Sequence, residues 1–425
     1  MHKNPIRVAL LGAGERGRHV INYWLRFVHC EVVAVVDPSP AALDKAKQFF
    51  GDKAAKAEFT SDLTSWLARA DADVVTINSW DNHHAQNAID CLEAGLNIQV
   101  AKPMCQSIEE ADRLVAAWRR SGRIGIVDMQ IRTCPLIQEA KRLIDEGAVG
   151  KVRLVTCLDS VGMGACFYRA SRYRRKDQVR SLTLAKGVHF LDICNLFMGD
   201  DPVRVFASGG LDHFGGDKPD DLKCRACDER GTCPENGDKA LIGGMPFPFP
   251  DSLCVFARET NVYDNAIATI DYKGGGRCSY VECQFTPEYQ TTYEVIGDRG
   301  AIFVRYAMDE RLFLEYRPRD SARVERANFY PQGVAHGGGE KSMSLLIEDA
   351  IRNNRQVHPD ILDGRNAVAL CEAIDRSVET RIPVDIPPPP PAEPSAGRGS
   401  RERSARAPSA AVGPPSRGAP GMRRA

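Results

Sequence analysis

The chain has 425 residues, 43% of them hydrophobic, with 56 Lys plus Arg against 56 Asp plus Glu. That length exceeds one ordinary core, so two domains are expected, and the even charge balance gives no reason to expect a nucleic-acid or membrane-surface partner. The longest apolar runs, such as Val32 to Val36, fall well short of the roughly 20 residues of a spanning helix, and Met1 to Arg7 has no signal-peptide hydrophobic region, so a cytoplasmic protein is expected.

The N-terminal part alternates short apolar strands with helical patterns, as a parallel sheet requires. Ile6 to Leu11 is the first strand. Glycines follow at 12, 14 and 17, then a helix with Val20, Trp24 and Val28 on its apolar side. Val32 to Val36 is a strand ending at Asp37. Ala41 to Phe50 reads as a helix, and Asp62 to Ala70 as another with Ser61 as its polar cap. Val74 to Ile77 is a strand, His84 to Ala94 a helix, Asn97 to Val100 a strand, Ile108 to Arg120 a helix and Ile124 to Met129 a strand. The first domain therefore spans 1–128.

The second domain, 129–385, changes character. Val152 to Leu158, Val203 to Gly209, Ala266 to Tyr272, Arg277 to Phe285 and Thr291 to Ile296 read as strands. Several are separated by turns too short for a crossover helix, which predicts a large, mostly antiparallel open sheet. Helices are expected at Leu136 to Glu146, His189 to Met198, Ser342 to Asn353 and Asp363 to Glu379. Residues 210–260 form an elaborated, cysteine-bearing insertion. The tail, 386–425, should be disordered: its last 39 residues hold 10 prolines, 7 arginines and 2 acidic residues.

Gly12-Ala13-Gly14-Glu15-Arg16-Gly17 is a G-x-G-x-x-G between a strand and a helix, the context in which it cradles a pyrophosphate. Asp37 lies 20 residues beyond Gly17, where a carboxylate accepts from both ribose hydroxyls and repels a 2′-phosphate. The expected cofactor is NAD. Arg16 leaves some room for NADP.

Of the 14 cysteines, most sit singly in apolar surroundings and read as small core residues. Cys224, Cys227, Cys233 and Cys254 do not. A Cys-x2-Cys element with two further thiols in a segment poor in apolar residues predicts one structural zinc. An iron–sulfur centre and free thiols remain open alternatives on the same residues.

Further signatures follow the glycine loop in order. Asn78 to His84 includes Trp80 and His84, Ala101-Lys102-Pro103 follows the fifth strand, and Gln130 and Arg132 stand at the domain junction. Gly187 to Asp192 reads Gly-x-His-x-x-Asp, and His336 to Gly339 is glycine-rich. On these residues the chain resembles the Gfo/Idh/MocA oxidoreductases across roughly residues 5–385. The resemblance implies a Rossmann domain followed by an α/β domain whose open sheet mediates homo-dimers or homo-tetramers. It also implies a nicotinamide cofactor and a sugar, sugar derivative or cyclitol as substrate.

By the same resemblance the loop with Asn78, Trp80 and His84 lies beside the nicotinamide, and Lys102 and His189 are catalytic. Lysine would hold the reacting oxygen and histidine would take its proton. His189, at the start of a helix, would be kept neutral by the helix dipole. Asp192, one turn on, would orient the imidazole or hold a hydroxyl. Three positions depart from the family pattern: Trp80 stands where a proline is common, Ala101 replaces a glutamate, and Ala185 stands where an aspartate is common, with Lys186 beside it. Arg169, Arg172, Arg174 and Arg175 form a basic stretch near the expected substrate side that reads as a solvated loop, the alternative being contact with a phosphate or carboxylate. The expected activity is hydride transfer between NAD and a secondary hydroxyl. One alternative is an NAD-retaining, glycosidase-like cycle of oxidation and elimination; another is a non-catalytic NAD-binding sensor or scaffold.

Overall fold

The computed structural model describes residues 4–239, 241–242, 245–246, 251–307, 312–330 and 335–391. The expected disordered tail lies outside the described residues beyond 391.

The first strand, β1 (Ile6–Leu11), is buried from Val8 onward because it is covered on both faces. It leads into α1 (Glu15–Phe27), β2 (Cys30–Val36), α2 (Pro40–Phe50), β3 (Glu58–Thr60) and α3 (Leu63–Leu67). The unit continues with β4 (Val74–Ile77), α4 (Asp81–Glu93), β5 (Asn97–Ala101), α5 (Ile108–Ser121) and β6 (Gly125–Asp128). These strands make one parallel sheet in the order β3-β2-β1-β4-β5-β6. The order reverses between β1 and β4, so the crevice at the strand ends opens between the glycine loop and the Asn78 loop. Two helix starts differ from expectation. Asp62, not Ser61, caps α3 by accepting from the Ser65 amide, and α4 begins at Asp81 rather than His84.

After a 3-10 turn at Gln130–Thr133 come α6 (Pro135–Asp145), β7 (Val152–Val161), α7 (Ala165–Tyr168), α8 (Lys176–Val179), α9 (Val188–Met198) and β8 (Pro202–Gly210). The insertion carries the short β9 (Leu241–Ile242) and β10 (Met245–Pro246). Then follow β11 (Asn265–Tyr272), β12 (Arg277–Cys283), β13 (Tyr289–Gly297), β14 (Gly300–Ala307), β15 (Leu312–Pro318), β16 (Glu325–Phe329), α10 (Gly339–Arg352), α11 (Ile361–Thr380) and β17 (Val384–Asp385). Nine strands form one sheet, β16-β15-β14-β13-β7-β12-β11-β8-β17, in which β7–β12 is the parallel pair and the rest are antiparallel. One face, with Val155, Cys157, Ala207, Ile270, Tyr280 and Val295, is buried in the same core as α9 and α11. The other face is open.

The C-terminal helices return to the first sheet. Met343 and Ile347 of α10 pack with Val20 and Trp24 of α1, and the Val127 amide donates to the Pro359 carbonyl at 3.0 Å. Residues 1–390 thus make one compact unit that holds both sheets. The helix expected at His189 is longer than foreseen. A π-turn at Thr183–Gly187 joins directly onto α9, and Gly187 sits in ordinary helical backbone. It is glycine for want of room: a Cβ there would lie 2.5 Å from the Tyr280 hydroxyl.

Candidate active site

The glycine loop is built by close approach. Gly12 has φ +95°, and a Cβ on it would lie 2.4 Å from the Asn78 carbonyl carbon; one on Gly17 would lie 2.1 Å from the Gly12 carbonyl oxygen. A Cβ on Gly14, by contrast, meets nothing within 4 Å, so the open side of this glycine is space for a ligand. Asp37 accepts from the Ala13 amide at 2.7 Å and the Ser39 amide at 2.8 Å, which fixes its carboxylate at the end of β2. Asn78 presents a buried Oδ1 without a hydrogen-bond partner. An open cradle at Gly14, a fixed carboxylate and an orphaned amide oxygen fit a dinucleotide.

Arg16 departs from expectation. Its guanidinium turns to the domain junction, where Nη1 donates to Glu340 at 2.7 Å and Nη2 to Asp128 at 2.9 Å. Burial lowers the pKa of this guanidinium, but both carboxylates raise it further. The residue that left room for NADP in the sequence thus stands engaged at the junction. Glu15 lines the cavity beside it.

A cavity of about 450 Å³ lies between the two sheets, lined among others by Gly14, Asn78, Lys102, Arg172, Ala185 and His336. His84 also lines it, but works as a clamp: Nδ1 lies 2.8 Å from the Pro103 carbonyl oxygen and Nε2 2.8 Å from that of Ser79. This ties the Asn78 loop to the Lys102 loop. Trp80 is exposed, with the Arg172 guanidinium 4.4 Å from its ring centroid and ion-paired to Asp81.

Lys102 reaches into the cavity from the end of β5. Its Nζ donates to the Ala185 carbonyl oxygen at 2.9 Å. Burial, with Arg16 and Lys186 nearby, pulls its pKa down to about 8. The π-turn explains how Ala185 serves the site without a carboxylate, since it presents a backbone oxygen to the lysine. Lys186 points the other way, into a buried ion pair with Asp159 at 2.5 Å.

His189 is 4% exposed, and both its ring nitrogens lack a partner. Burial first, then Lys102, His336, Arg16 and Lys186, hold its pKa well below the usual histidine value. Because the helix runs on unbroken through the π-turn, these surroundings rather than a helix N-terminus keep the ring neutral. Asp192 is likewise corrected. It does not face the imidazole but forms a bidentate pair with Arg132 at 2.6 and 2.8 Å, and Arg132 also bonds Asp363 at 3.1 Å. Burial pushes Asp192 up to about 6 against the pull of Arg132. The Gly-x-His-x-x-Asp spacing hid this, because one turn of helix allows either partner.

The basic stretch is not a solvated loop. Arg174 is fully buried, ion-paired to Glu259 and donating to the Cys254 carbonyl at 2.9 Å, while Arg169 donates to the Glu235 carbonyl at 2.7 Å. These arginines fasten the insertion, which has its own small core of Phe214, Val255 and Val262 against Tyr168, Val179 and Leu182.

A bridge between Lys223 and Leu253 brings Cys224 and Cys254 onto neighbouring segments, and the Gly237 amide donates to the Cys224 sulfur at 3.2 Å. Among the described residues, the one group of metal-type ligand atoms within 4.8 Å of one another is His358, Asp360 and Asp363. That group caps α11 and binds Arg132. Among the described residues, Cys224, Cys227, Cys233 and Cys254 do not form such a group.

Sequence reasoning missed Tyr173 and His336 as cavity residues, and singled out Arg172 only as one of a basic stretch. The signal for His336 was the His-Gly-Gly-Gly-Glu run itself, which matched a known pattern but suggested no partner.

A family profile described as an oxidoreductase family, NAD-binding Rossmann fold, matches residues 6–129, and one described as the GFO/IDH/MocA C-terminal domain matches residues 137–303. YteT of Bacillus subtilis (strain 168) is 24% identical over 403 residues, covering 84% of this chain and 92% of that protein. Levoglucosan dehydrogenase of Pseudarthrobacter phenanthrenivorans is 24% identical over 378 residues, covering 84% of this chain and 89% of that protein. A solved levoglucosan dehydrogenase in complex with NADH and levoglucosan shares the fold, with a TM-score of 0.70 at 20% identity over 91% of this chain and 100% of that one.

Proposed function

Because the chain belongs to the Gfo/Idh/MocA oxidoreductase family, we propose that it is an NAD-dependent oxidoreductase moving hydride between nicotinamide and a secondary hydroxyl of a sugar, sugar derivative or cyclitol. The observation that carries this reading is the half-buried Lys102 amine, which lines a cavity that begins at the open side of Gly14. The cavity volume suits a small polar ligand beside a cofactor. Levoglucosan dehydrogenases among the relatives support a sugar.

NAD, when bound, supplies the hydride acceptor. Gly12, Gly14, Glu15 and Gly17 cradle its phosphates, Asp37 receives the ribose hydroxyls, and Asn78, Trp80 and the loop clamped by His84 border its reactive end. Lys102 donates to the substrate oxygen and stabilises the negative charge that grows as the hydride departs. His189, held neutral by its surroundings, hydrogen-bonds the same oxygen. Asp192 holds Arg132 at the junction and acts as a positioning residue. The test is reduced-nicotinamide absorbance on mixing protein, NAD and a panel of pyranoses, anhydrosugars and cyclitols. Net reduction of NAD separates this reading from an elimination cycle that regenerates NAD, and from a non-catalytic binder.

Two further proposals concern assembly. The donor chemistry of Cys224, Cys227, Cys233 and Cys254 fits one structural zinc, which would draw the four sulfurs to Zn–S distances of about 2.3 Å. Metal analysis should find zinc, and chelation should loosen the insertion; metal-free protein indifferent to chelator would exclude it. The open face of the nine-stranded sheet carries Leu154 and Leu158 (each 42% exposed), Phe206 (46%) and Ile267 (59%), which supports a homo-oligomer built on that face.

A further inference from the structure

On the reading above, a proton must leave the substrate hydroxyl as the hydride departs. His189 was the expected acceptor, yet nothing orients it. Both its nitrogens are unpartnered, Asp192 is committed to Arg132, and no carboxylate stands at Ala185. With Lys102, His336, Arg16 and Lys186 around it, the ring gives up a proton more readily than it keeps one.

A different imidazole, that of His336, lines the cavity itself. His336 has φ +52°, a left-handed conformation uncommon for a side-chain-bearing residue, and Gly337 and Gly338 continue the turn at +62° and +96°. Gly339 then packs so tightly that a Cβ would lie 2.0 Å from the Gln130 carbonyl oxygen. The turn delivers His336 to the cavity with its ring centroid 5.8 Å from that of His189. Nδ1 lies 2.8 Å from Glu340 Oε1. The Glu340 side chain is 4% exposed and also accepts from Arg16 at 2.7 Å, so the carboxylate is pinned from two sides and stays ionised. An imidazole bonded to a fixed carboxylate through Nδ1 has its tautomer set, with Nε2 left as the acceptor on the cavity side.

We propose that His336 takes up the proton of the substrate hydroxyl, with Glu340 as its positioning residue, while Lys102 and His189 hold the oxygen. The O–H bond breaks and its proton goes to His336 Nε2. The O–H electron pair becomes the new carbon–oxygen π bond as the C–H pair leaves as hydride for NAD. The products are a ketone, NADH and a proton on His336, which passes to solvent from a side chain still 32% exposed. The titratable and charged groups near His336 are Glu340 and Arg16, the neutral His189 ring and Lys102.

The experiment compares wild type, His336→Asn, His336→Gln and Glu340→Gln, each loaded with NAD, using levoglucosan or the panel sugar that wild type oxidises best. His336→Asn should lower kcat by about 100-fold or more and abolish the acid limb of kcat/KM, with NAD affinity unchanged. Glu340→Gln should lower kcat by about tenfold and displace that limb. Should Glu340→Gln fail to fold, His336→Gln, which leaves Arg16 and Asp128 paired, carries the test. A His336→Asn enzyme within about threefold of wild type, its acid limb intact, overturns the proposal. If no panel sugar is oxidised by wild type, the functional reading itself fails. Imidazole ¹⁵N spectra of the NAD-loaded protein then decide the inference. They should show His336 protonated at Nδ1 with Nε2 titrating; Nε2 protonated throughout the titration overturns it.

Discussion

On the proposed reading the chemistry concentrates at Lys102, because a half-buried amine beside a forming alkoxide stabilises it more than the same charge in water would. Lys102→Met keeps most of the stem and removes the charge. It should leave NAD affinity nearly unchanged and lower turnover by about two orders of magnitude or more, measured by titration calorimetry and steady-state kinetics. His189→Asn should also spare NAD binding and reduce turnover, by less than Lys102→Met. Glu340 makes a separate prediction about stability. Its pKa falls from 4.5 to about 2 on folding, set by His336 and Arg16 against burial, so the folded state binds the proton less readily than the unfolded one. The stability it contributes is present above pH 4.5, on the order of 3 kcal/mol, and is lost as pH falls through about 2. Acid denaturation of Glu340→Gln should lack that part of the loss; an identical curve would contradict it. At this scale the sequence was legible in where a motif stands, with Gly12, Asp37 and Lys102 directly after β1, β2 and β5. It was not legible where burial chose among partners, as with Arg16, Asp192 and Arg174.

Individual elements carry the second kind of prediction. The π-turn before α9 lets Ala185 face Lys102 while Lys186 reaches Asp159, and it depends on Gly187 passing close to Tyr280 and Glu282. Gly187→Ala should destabilise the protein by about 1–3 kcal/mol in chemical denaturation and lower turnover, because the turn must shift to admit the methyl group. Arg132→Met leaves Asp192 charged without its partner and should cost about 3–5 kcal/mol; Asp192→Asn should cost less. Equal and negligible losses would show the pair to be incidental. Periodicity located most elements within a residue or two, but it started α4 three residues late and stopped the helical run at His189. Neither boundary has a proline or an αL glycine to mark it: α4 begins at Trp80 without a side-chain cap, and the π-turn has no period of its own. The strands β14 and β15 were passed over although their inward residues alternate.

The whole molecule shows why the site lies where it does. The C-terminal helix α10 packs against α1, and through Glu340 it anchors the same Arg16 that belongs to the glycine loop. The cofactor loop and the substrate side are therefore mechanically one piece, and a linear split at residue 128 cannot convey that. No helix among the described residues is long and apolar enough to cross a membrane. The open sheet face makes its own prediction: Ile267→Glu with Leu158→Glu should lower the molar mass seen by light scattering to that of a single chain, without loss of folded structure. A wild-type protein already monomeric would refute assembly on that face. The central claim is tested most directly by mixing purified protein with NAD and the sugar and cyclitol panel and following reduced nicotinamide. Wild type should produce it stoichiometrically from at least one substrate, with Lys102→Met binding NAD normally but slower by about 100-fold. Tight NAD binding with no reduction across the panel would contradict the account.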